Sequence, residues 1–205
     1  MTFAPTLTGI ATIVLAWLAL ATTAQAAEPQ FLGRSLADWR TEAKSSDSSI
    51  RLHAIWALSQ QPAAALPELM TALSDRDAAA RFWAVQGLAR LAADHQTDET
   101  LRTKIAATLI PLLQDAAPSP RIAAAEALAR LNKPAPALRV LMAALTSEPQ
   151  DAARTAAAEA IERLGPLAAG AEPALEQAAA DQGEYAKRIS TRALRSLKKT
   201  PLAVP

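Results

Sequence analysis

The stretch Asp75–Leu91, DRDAAARFWAVQGLARL, decides the fold of this chain. An acidic turn comes before Arg81, and small or apolar residues then follow at +3, +6, +7 and +10: Ala84, Gly87, Leu88 and Leu91. Because successive helical residues are rotated by about 100°, these four positions share one face of a helix. The stretch therefore predicts a turn followed by an amphipathic helix.

The same pattern recurs at four other places in the chain. A cation is followed by small residues at +3 and +6 and by an aliphatic residue at +7 in the segments that begin at Arg51, Arg121, Arg154 and Lys187. The steps between successive lead cations are similar, and the longest of them separates Arg81 from Arg121. Self-similarity at a period of roughly 20–50 residues is typical of stacked helical repeats that cannot fold singly. We predict an all-α fold, an α-solenoid of about five helix pairs.

The N-terminal segment has the composition of a secretory signal peptide. Residues 1–27 carry no charged side chain, and Leu7 to Ala21 is almost wholly apolar. This run is shorter than the about 20 residues of a bilayer span, and Ala24 and Ala26 satisfy the small-residue rule of a signal peptidase. We expect cleavage after Ala26 and export to the periplasm or the medium. A retained N-terminal anchor is the alternative, because the segment has no Lys or Arg.

The mature chain is predicted to have one repeat domain. We expect a linker at 27–33, repeats over 34–198 and a flexible tail at 199–205, with the first helix capped by Ser35. The polar segment Ala92–Thr100 is expected to be a loop inserted at the longest step between lead cations. Pro111 should kink the helix over Leu101–Gln114, and 115–120 should form a turn with two prolines.

Composition excludes several classes of partner. The chain has 21 basic and 20 acidic residues, a formal charge of +1, whereas a dedicated nucleic-acid binder or a protein held on anionic lipid needs a basic excess. There is no cysteine, so no disulfide forms and no lipid can be attached at a cleavage-site cysteine. We expect a monomer without a lipid anchor.

The repeats resemble HEAT repeats. An acidic turn residue comes six positions before the lead arginine in Asp75/Arg81 and Asp115/Arg121, and small-x-x-small-Leu follows. Within that group the chain is similar to the bacterial PBS lyase HEAT-like class. The run RFWAVQGL is similar to HEAT tracts that follow the catalytic domain of secreted bacterial sulfatases. The resemblance covers about residues 34–197.

The resemblance implies two structural features. First, the acidic and arginine columns of HEAT arrays form a ladder between neighbouring repeats, and here this implies a ladder that includes Asp75, Arg81, Asp115, Arg121 and Arg154. Departures from the pattern are Ser45, Glu148, Lys187 and Ser190, so the ladder should be weakest at both ends. Second, positions +1, +5 and +8 of the second helices line the concave surface.

That surface supplies the candidate partner-binding residues. Its character changes along the array, from apolar through acidic to basic, in the set Leu52, Trp56, Phe82, Gln86, Glu126, Glu159, Arg188 and Arg192. We expect Leu52, Trp56 and Phe82 to anchor a partner and the charged end to orient it. The alternative is that the aromatic residues pack within or between repeats. Trp83, at +2, is expected to be the packing residue.

The sequence carries no motif for catalysis. It has no nucleophile motif, phosphate loop or cofactor-binding motif, and we predict no enzyme activity and no cofactor. His53 and His95 are far apart in the sequence; we expect a packed side chain at His53 and a solvated one at His95, not metal ligands. We predict a non-catalytic, exported scaffold for an unidentified protein. The alternatives are an accessory subunit that docks on an exported sulfatase-like hydrolase and a bilin lyase-like subunit.

Overall fold

The computed structural model describes residues 30–180 and 184–199. The predicted signal peptide lies outside these residues, as do Ala27–Pro29 of the linker and the tail beyond Lys199. The chain divides into two compact bodies, Met1–Leu36 and Ala37–Pro205. The repeats belong to the second body.

The described part of the first body is a short antiparallel hairpin. Strand β1 (Gln30–Phe31) pairs with β2 (Arg34–Ser35). The turn between them has positive φ at Leu32 (53°) and Gly33 (74°), which is the backbone geometry of a two-residue hairpin turn. Where we expected a linker over 27–33, residues 30–33 therefore form a strand and a turn. Two-residue strands are too short to show periodicity in a sequence.

The second body consists of helices joined by short turns. The helices in chain order are α1 (Leu36–Glu42), α2 (Ser48–Ser59), α3 (Leu66–Ala72), α4 (Ala78–Ala93), α5 (Glu99–Leu109), α6 (Pro118–Arg130), α7 (Pro134–Ser147), α8 (Asp151–Leu164), α9 (Glu172–Ala180) and α10 (Glu184–Lys199). Two 3-10 segments precede α6 and α9, at Ile110–Gln114 and Gly165–Ala171. Consecutive helices form five pairs, which we call repeats 1 to 5.

The helix boundaries follow from capping residues and prolines. Asp47, Asp77 and Asp98 accept hydrogen bonds from backbone N–H groups in the first turns of α2, α4 and α5, as N-cap carboxylates do. Helix α8 ends at Leu164 and is followed by Gly165, whose φ is 55°. The prediction of a turn over 115–120 was wrong beyond 117, because Pro118 and Pro120 lie in the first turn of α6, where proline is tolerated.

The long step between repeats 2 and 3 contains less loop than we predicted. Helix α4 continues to Ala93 and α5 begins at Glu99, so the loop covers 94–98 only. The Thr97 hydroxyl is buried and donates to the carbonyl of Leu91 over 2.7 Å. The Arg102 guanidinium donates to the carbonyl of Ala92. Beyond α5, Pro111 ends the helix in a 3-10 turn and does not kink it.

The predicted core stripe is buried throughout the array. Residues at +3 and +6 are buried in all five second helices, and Ala54, Ala84, Ala124 and Ala157 are completely inaccessible. The second helices α2, α4, α6, α8 and α10 contact one another in that order. Small residues allow this approach: a Cβ added to Gly87 would lie 3.0 Å from the Ser59 Cα on the neighbouring helix.

These contacts make the second body an all-α stack of helix pairs, the predicted solenoid architecture. Over 30–180 and 184–199, no helix combines the length and apolar character needed to cross a membrane.

Candidate partner-binding surface

One side of the second helices is a candidate surface that runs across the array. It consists of positions +1, +2, +5, +8 and +9 from each lead cation, and we call it the second-helix surface. Side chains at these positions meet across neighbouring helices, as in the pairs Trp56–Trp83, Arg163–Glu126 and Arg192–Glu162. The surface therefore includes side chains of all five repeats, although Ser59 in repeat 1 and Ile122, Ala123 and Ala129 in repeat 3 are buried.

Three aromatic rings meet at the first two repeats, and we call Trp56, Phe82 and Trp83 the aromatic cluster. The ring centroids of Trp56 and Trp83 are 6.5 Å apart, and those of Phe82 and Trp83 are 5.1 Å apart. Both pairs meet edge to face, the arrangement that aromatic quadrupoles favour. All three side chains remain partly exposed, as does Leu52 beside Trp56 on the same helix. The cluster thus offers apolar surface to a partner.

Trp83 packs between neighbouring repeats, as we expected. Its ring contacts Trp56 of repeat 1 and Phe82 of its own helix, but it is also partly exposed. Position +2 lies at the edge of the second-helix surface, next to the buried stripe, and a tryptophan there is large enough both to pack against its neighbours and to reach solvent.

The two histidines are far apart and have different surroundings. His53 is exposed, stacks on Trp56 with ring centroids 5.6 Å apart, and meets the buried Trp39 edge to face. His95 is exposed in the loop at 94–98. In the part of the chain that the structure describes, no three His, Cys, Asp or Glu side chains are grouped so that they could hold a metal ion.

The acidic middle of the surface is neutralised by arginines that our prediction did not consider. Both oxygens of Glu126 accept hydrogen bonds from Arg163, over 2.9 and 2.7 Å, and Arg130 donates to one of them. Glu159 also pairs with Arg163, over 3.6 Å. Burial raises the pKa of Glu126, but the bonds from Arg163 and Arg130 outweigh burial, so its pKa lies below the ordinary value. These glutamates are therefore already paired within the protein.

The basic end of the surface lies on α10. The Nε and Nη2 atoms of Arg192 donate to the two oxygens of Glu162, over 2.5 and 2.6 Å. Arg188 and Arg195, one turn to either side, are exposed. Neither makes an ion pair with any residue of 30–180 or 184–199. These two guanidinium groups face solvent.

Gln86 lies between the aromatic cluster and the charged repeats. It is partly exposed and lines a cavity of about 170 Å³ between α4 and α6, together with Arg90, Glu126 and Arg130. The candidate residues Gln86 and Glu126 therefore line the same cavity.

The arginine ladder runs along the turns beside this surface. Arg51 donates to Asp75, Arg81 to Asp115 and Arg121 to Glu148, so each arginine reaches the acid of the next repeat. Each of these arginines also donates through Nη1 to the carbonyl of the residue six positions before it. The backbone carbonyl of Asp75 thus accepts a hydrogen bond from Arg81, whereas its carboxylate accepts one from Arg51.

The ladder carboxylates are held in their charged form. The hydrogen bond from Arg81 lowers the pKa of Asp115 against the opposing effect of burial. At Asp75 burial acts to raise the pKa, but bonds from Arg51 and the Asp77 N–H bring it below the ordinary value. Arg154 shares the carbonyl bond of the pattern, to Glu148, but its ion-pair partner among the described residues is Asp151 of its own helix.

The comparisons with known proteins identify the family. A model of HEAT repeats matches residues 36–106 and 106–195. The chain therefore belongs to the HEAT repeat family. A search of curated proteins gives no match.

Solved structures with the same architecture include natural and engineered proteins. The complex of CpcE and CpcF of phycocyanin lyase from Nostoc sp. PCC7120 is 25% identical with a TM-score of 0.57, over 88% of this chain and 70% of that chain. A designed armadillo repeat protein in complex with the peptide (KR)4 is 19% identical with a TM-score of 0.53, over 80% of this chain and 82% of that chain. An engineered protein is 19% identical with a TM-score of 0.52, over 80% and 79%.

Proposed function

We propose that the protein is an exported, non-catalytic scaffold that binds a partner protein on its second-helix surface. The observation that carries this proposal is the aromatic cluster, because Trp83 contacts both Trp56 and Phe82 and all three side chains remain partly exposed. Large aromatic side chains of this kind are frequent anchors of protein interfaces. Apolar surface that stays open to water without a partner favours unwanted association.

The size of the surface favours a polypeptide over a small molecule. At helix spacings of 8–10 Å, five stacked second helices give a surface roughly 40–50 Å long. That length accommodates an extended segment or the side of a domain. The designed armadillo protein with the same fold is one example of such an array holding a peptide.

Export is the second part of the proposal. It rests on the uncharged, apolar stretch over residues 1–27 and on Ala24 and Ala26 before the expected cleavage site. The mature protein would then meet its partner in the periplasm or the medium, as a monomer.

Two alternatives name the partner differently. The likeness to the phycocyanin lyase complex favours a lyase-like subunit, and such a subunit should bring a tetrapyrrole chromophore or its acceptor protein with it on purification. The run Arg81–Leu88 favours docking on an exported sulfatase-like hydrolase. In that case the co-purified companion should hydrolyse sulfate esters.

The test is purification of the mature protein from the exported fraction, followed by titration of its companion with variants. Trp56→Ala and Phe82→Ala should each weaken binding by about 2 kcal/mol while the circular dichroism of the helices is unchanged. Ile110→Ala is the control, since Ile110 is an exposed apolar residue in the 3-10 segment outside this surface. If Trp56→Ala and Phe82→Ala lose helicity and keep their binding, the rings are packing residues and the proposal is wrong.

A further inference from the structure

We infer that the second-helix surface recognises an acidic polypeptide segment, with carboxylates for Arg188 and Arg195 and an apolar side chain for the aromatic cluster. This inference rests on the proposed function and specifies the chemistry of the partner. Three observations carry it: the excess of arginines on the surface, the internal pairing of its glutamates, and the separation of its basic and aromatic ends.

The charged side chains of the surface are unbalanced. At positions +1, +5, +8 and +9 it carries six arginines and three glutamates, although the whole chain is close to neutral with a charge of +1. The arginines are Arg90, Arg130, Arg163, Arg188, Arg192 and Arg195, and the glutamates are Glu126, Glu159 and Glu162. The surface that holds the aromatic cluster thus has three more arginines than glutamates.

The glutamates are already occupied, so they do not offset this excess for a ligand. Glu126 is bonded by Arg163 and Arg130, Glu159 pairs with Arg163, and Glu162 is held by Arg192. A basic partner would have to displace these arginines before it could reach a carboxylate. An acidic partner meets no such competition.

The remaining arginines are free to bind anions. Within residues 30–180 and 184–199, Arg90 donates to neutral acceptors, the carbonyl of Ser59 and the side-chain oxygen of Gln60, and makes no ion pair. Arg188 and Arg195 are exposed and make no ion pair within the described residues. They lie at −4 and +3 from Arg192, on one face of α10, where like charges at this spacing repel each other. Guanidinium groups bind carboxylates through two parallel hydrogen bonds.

Other charges on α10 reinforce the basic character of this end. Glu184 is the single acidic residue of the helix and lies one turn before Arg188. Lys187 is exposed beside Arg188, and Lys198 pairs with Glu176 of α9 over 3.7 Å. The end of the array therefore attracts anions even with Glu184 ionised.

The spacing of the two ends defines the partner segment. The aromatic cluster lies on α2 and α4 and the free arginines on α10, which is three to four helix spacings away, or roughly 24–40 Å. An extended polypeptide covers that distance with about 8–12 residues. We therefore expect a segment with a large apolar residue about ten positions from a group of Asp or Glu. Nucleic acid and anionic lipid fit less well, since the whole chain has a charge of only +1 and lacks the basic excess that binding to either requires.

The experiment uses the mature protein and three labelled peptides of twelve residues. Each peptide has one Trp near one end and four variable residues near the other, which are Glu, Gln or Lys. Fluorescence anisotropy at low salt should show the Glu peptide binding about tenfold more tightly than the Gln peptide. That difference should disappear when Arg188→Glu and Arg195→Glu are combined.

The control variant combines Lys104→Glu and Arg139→Glu, which changes net charge by the same amount at exposed positions on α5 and α7. This control should keep the preference for the Glu peptide. Equal affinity for the Glu and Gln peptides, no binding of either, or an equal loss in the control would overturn the inference. So would binding of an oligothymidylate or of phosphatidylglycerol vesicles, but not of the Glu peptide, through Arg188 and Arg195.

The two proposals fail in different ways. If Trp56→Ala weakens the binding of the Glu and Gln peptides equally, and the two peptides bind with the same affinity, the proposed binding surface is supported and the proposed preference for acidic segments is wrong. If Trp56→Ala and Phe82→Ala leave the co-purified companion bound, the surface itself is wrong.

Discussion

Repeats 1 and 2 differ from repeats 3 to 5 at the same helix positions. The +5 column begins with Trp56 and Gln86 and continues with Glu126, Glu159 and Arg192. In the first region neighbouring second helices meet through aromatic rings, such as Trp56 and Trp83. In the second region they meet through arginine–glutamate pairs, such as Arg163 and Glu126. Beneath both regions the +3 and +6 positions are small and buried.

The difference shows how a repeat array separates stability from recognition. The buried stripe and the ladder recur in both regions and hold the stack together, so the outer columns can vary. Aromatic rings can remain partly open because they need no charged partner, whereas a partly buried carboxylate needs one. The glutamates of repeats 3 and 4 are thus paired with arginines of the protein itself. The aromatic cluster of repeats 1 and 2 and the exposed arginines of α10 remain available to a partner.

The largest loss of stability is expected from a substitution at the junction of repeats 2 and 3. The pair Arg81–Asp115 links repeats 2 and 3 through two bonds of 2.7 Å, and the side chains are 17% and 7% exposed. Arg81→Ala leaves a buried carboxylate and an unsatisfied carbonyl, so the free energy of unfolding should fall by about 2–3 kcal/mol. Urea unfolding measures this loss.

The matched control for Arg81 is Arg192→Ala. Arg192 makes the same two-nitrogen contact with Glu162, but its side chain is 64% exposed. Solvent screens such a pair, so little stability should be lost. If Arg81→Ala and Arg192→Ala unfold at the same urea concentration, the ladder does not hold the two regions together.

A smaller loss of stability is expected from a substitution of the glycine at +6 in repeat 2. The other repeats have alanine at +6, whereas repeat 2 has Gly87 against Ser59 and Leu69. A Cβ there would lie 2.8 Å from the Leu69 Cδ1 and 3.0 Å from the Ser59 Cα. Gly87→Ala should destabilise by about 1–2 kcal/mol, because overpacking outweighs the helix propensity of alanine.

Thermal unfolding of Gly87→Ala decides whether the first region is packed more closely than the second. Gly170→Ala is the control, since its added Cβ would meet only Leu138, at an ordinary 3.8 Å. A Gly87→Ala protein that is more stable than wild type would mean that α2 and α4 can move apart without a loss of stability.

The repeat architecture could be predicted from the sequence because it depends on local periodicity. The recurring lead cations and the small residues at +3 and +6 after each of them were enough to predict the helix pairs and their buried faces. The resemblance also implied that the arginine and acidic columns form a ladder. It did not show which acid each arginine reaches; the Asp75 carboxylate binds Arg51 of the preceding repeat, 24 positions away.

The charge pattern of the surface could not be predicted from the columns that we considered. Arg130 and Arg163 lie at +9, outside the +1, +5 and +8 positions, and they neutralise the glutamates of repeats 3 and 4. Likewise, Trp83 at +2 joins the aromatic cluster because of its size. Both cases depend on how far a long side chain reaches, which helical spacing alone does not give.

The smallest effect concerns the charged region and depends on pH. Arg163 is 52% exposed and bonds to Glu126, whose side chain is 14% exposed. Arg163→Ala should destabilise by about 1 kcal/mol or less at neutral pH, with Arg130 still in place. Because the pKa of Glu126 is held below its ordinary value of 4.5, this contribution is complete above pH 4.5 and is lost as pH falls through the folded-state pKa. The difference in stability between wild type and Arg163→Ala should therefore shrink at about pH 3.

The control is Phe82→Leu in repeat 2, whose loss of stability should be the same at neutral pH and at about pH 3. If Arg163→Ala and Phe82→Leu respond equally to acid, the contrast between the two regions does not lie in their charges.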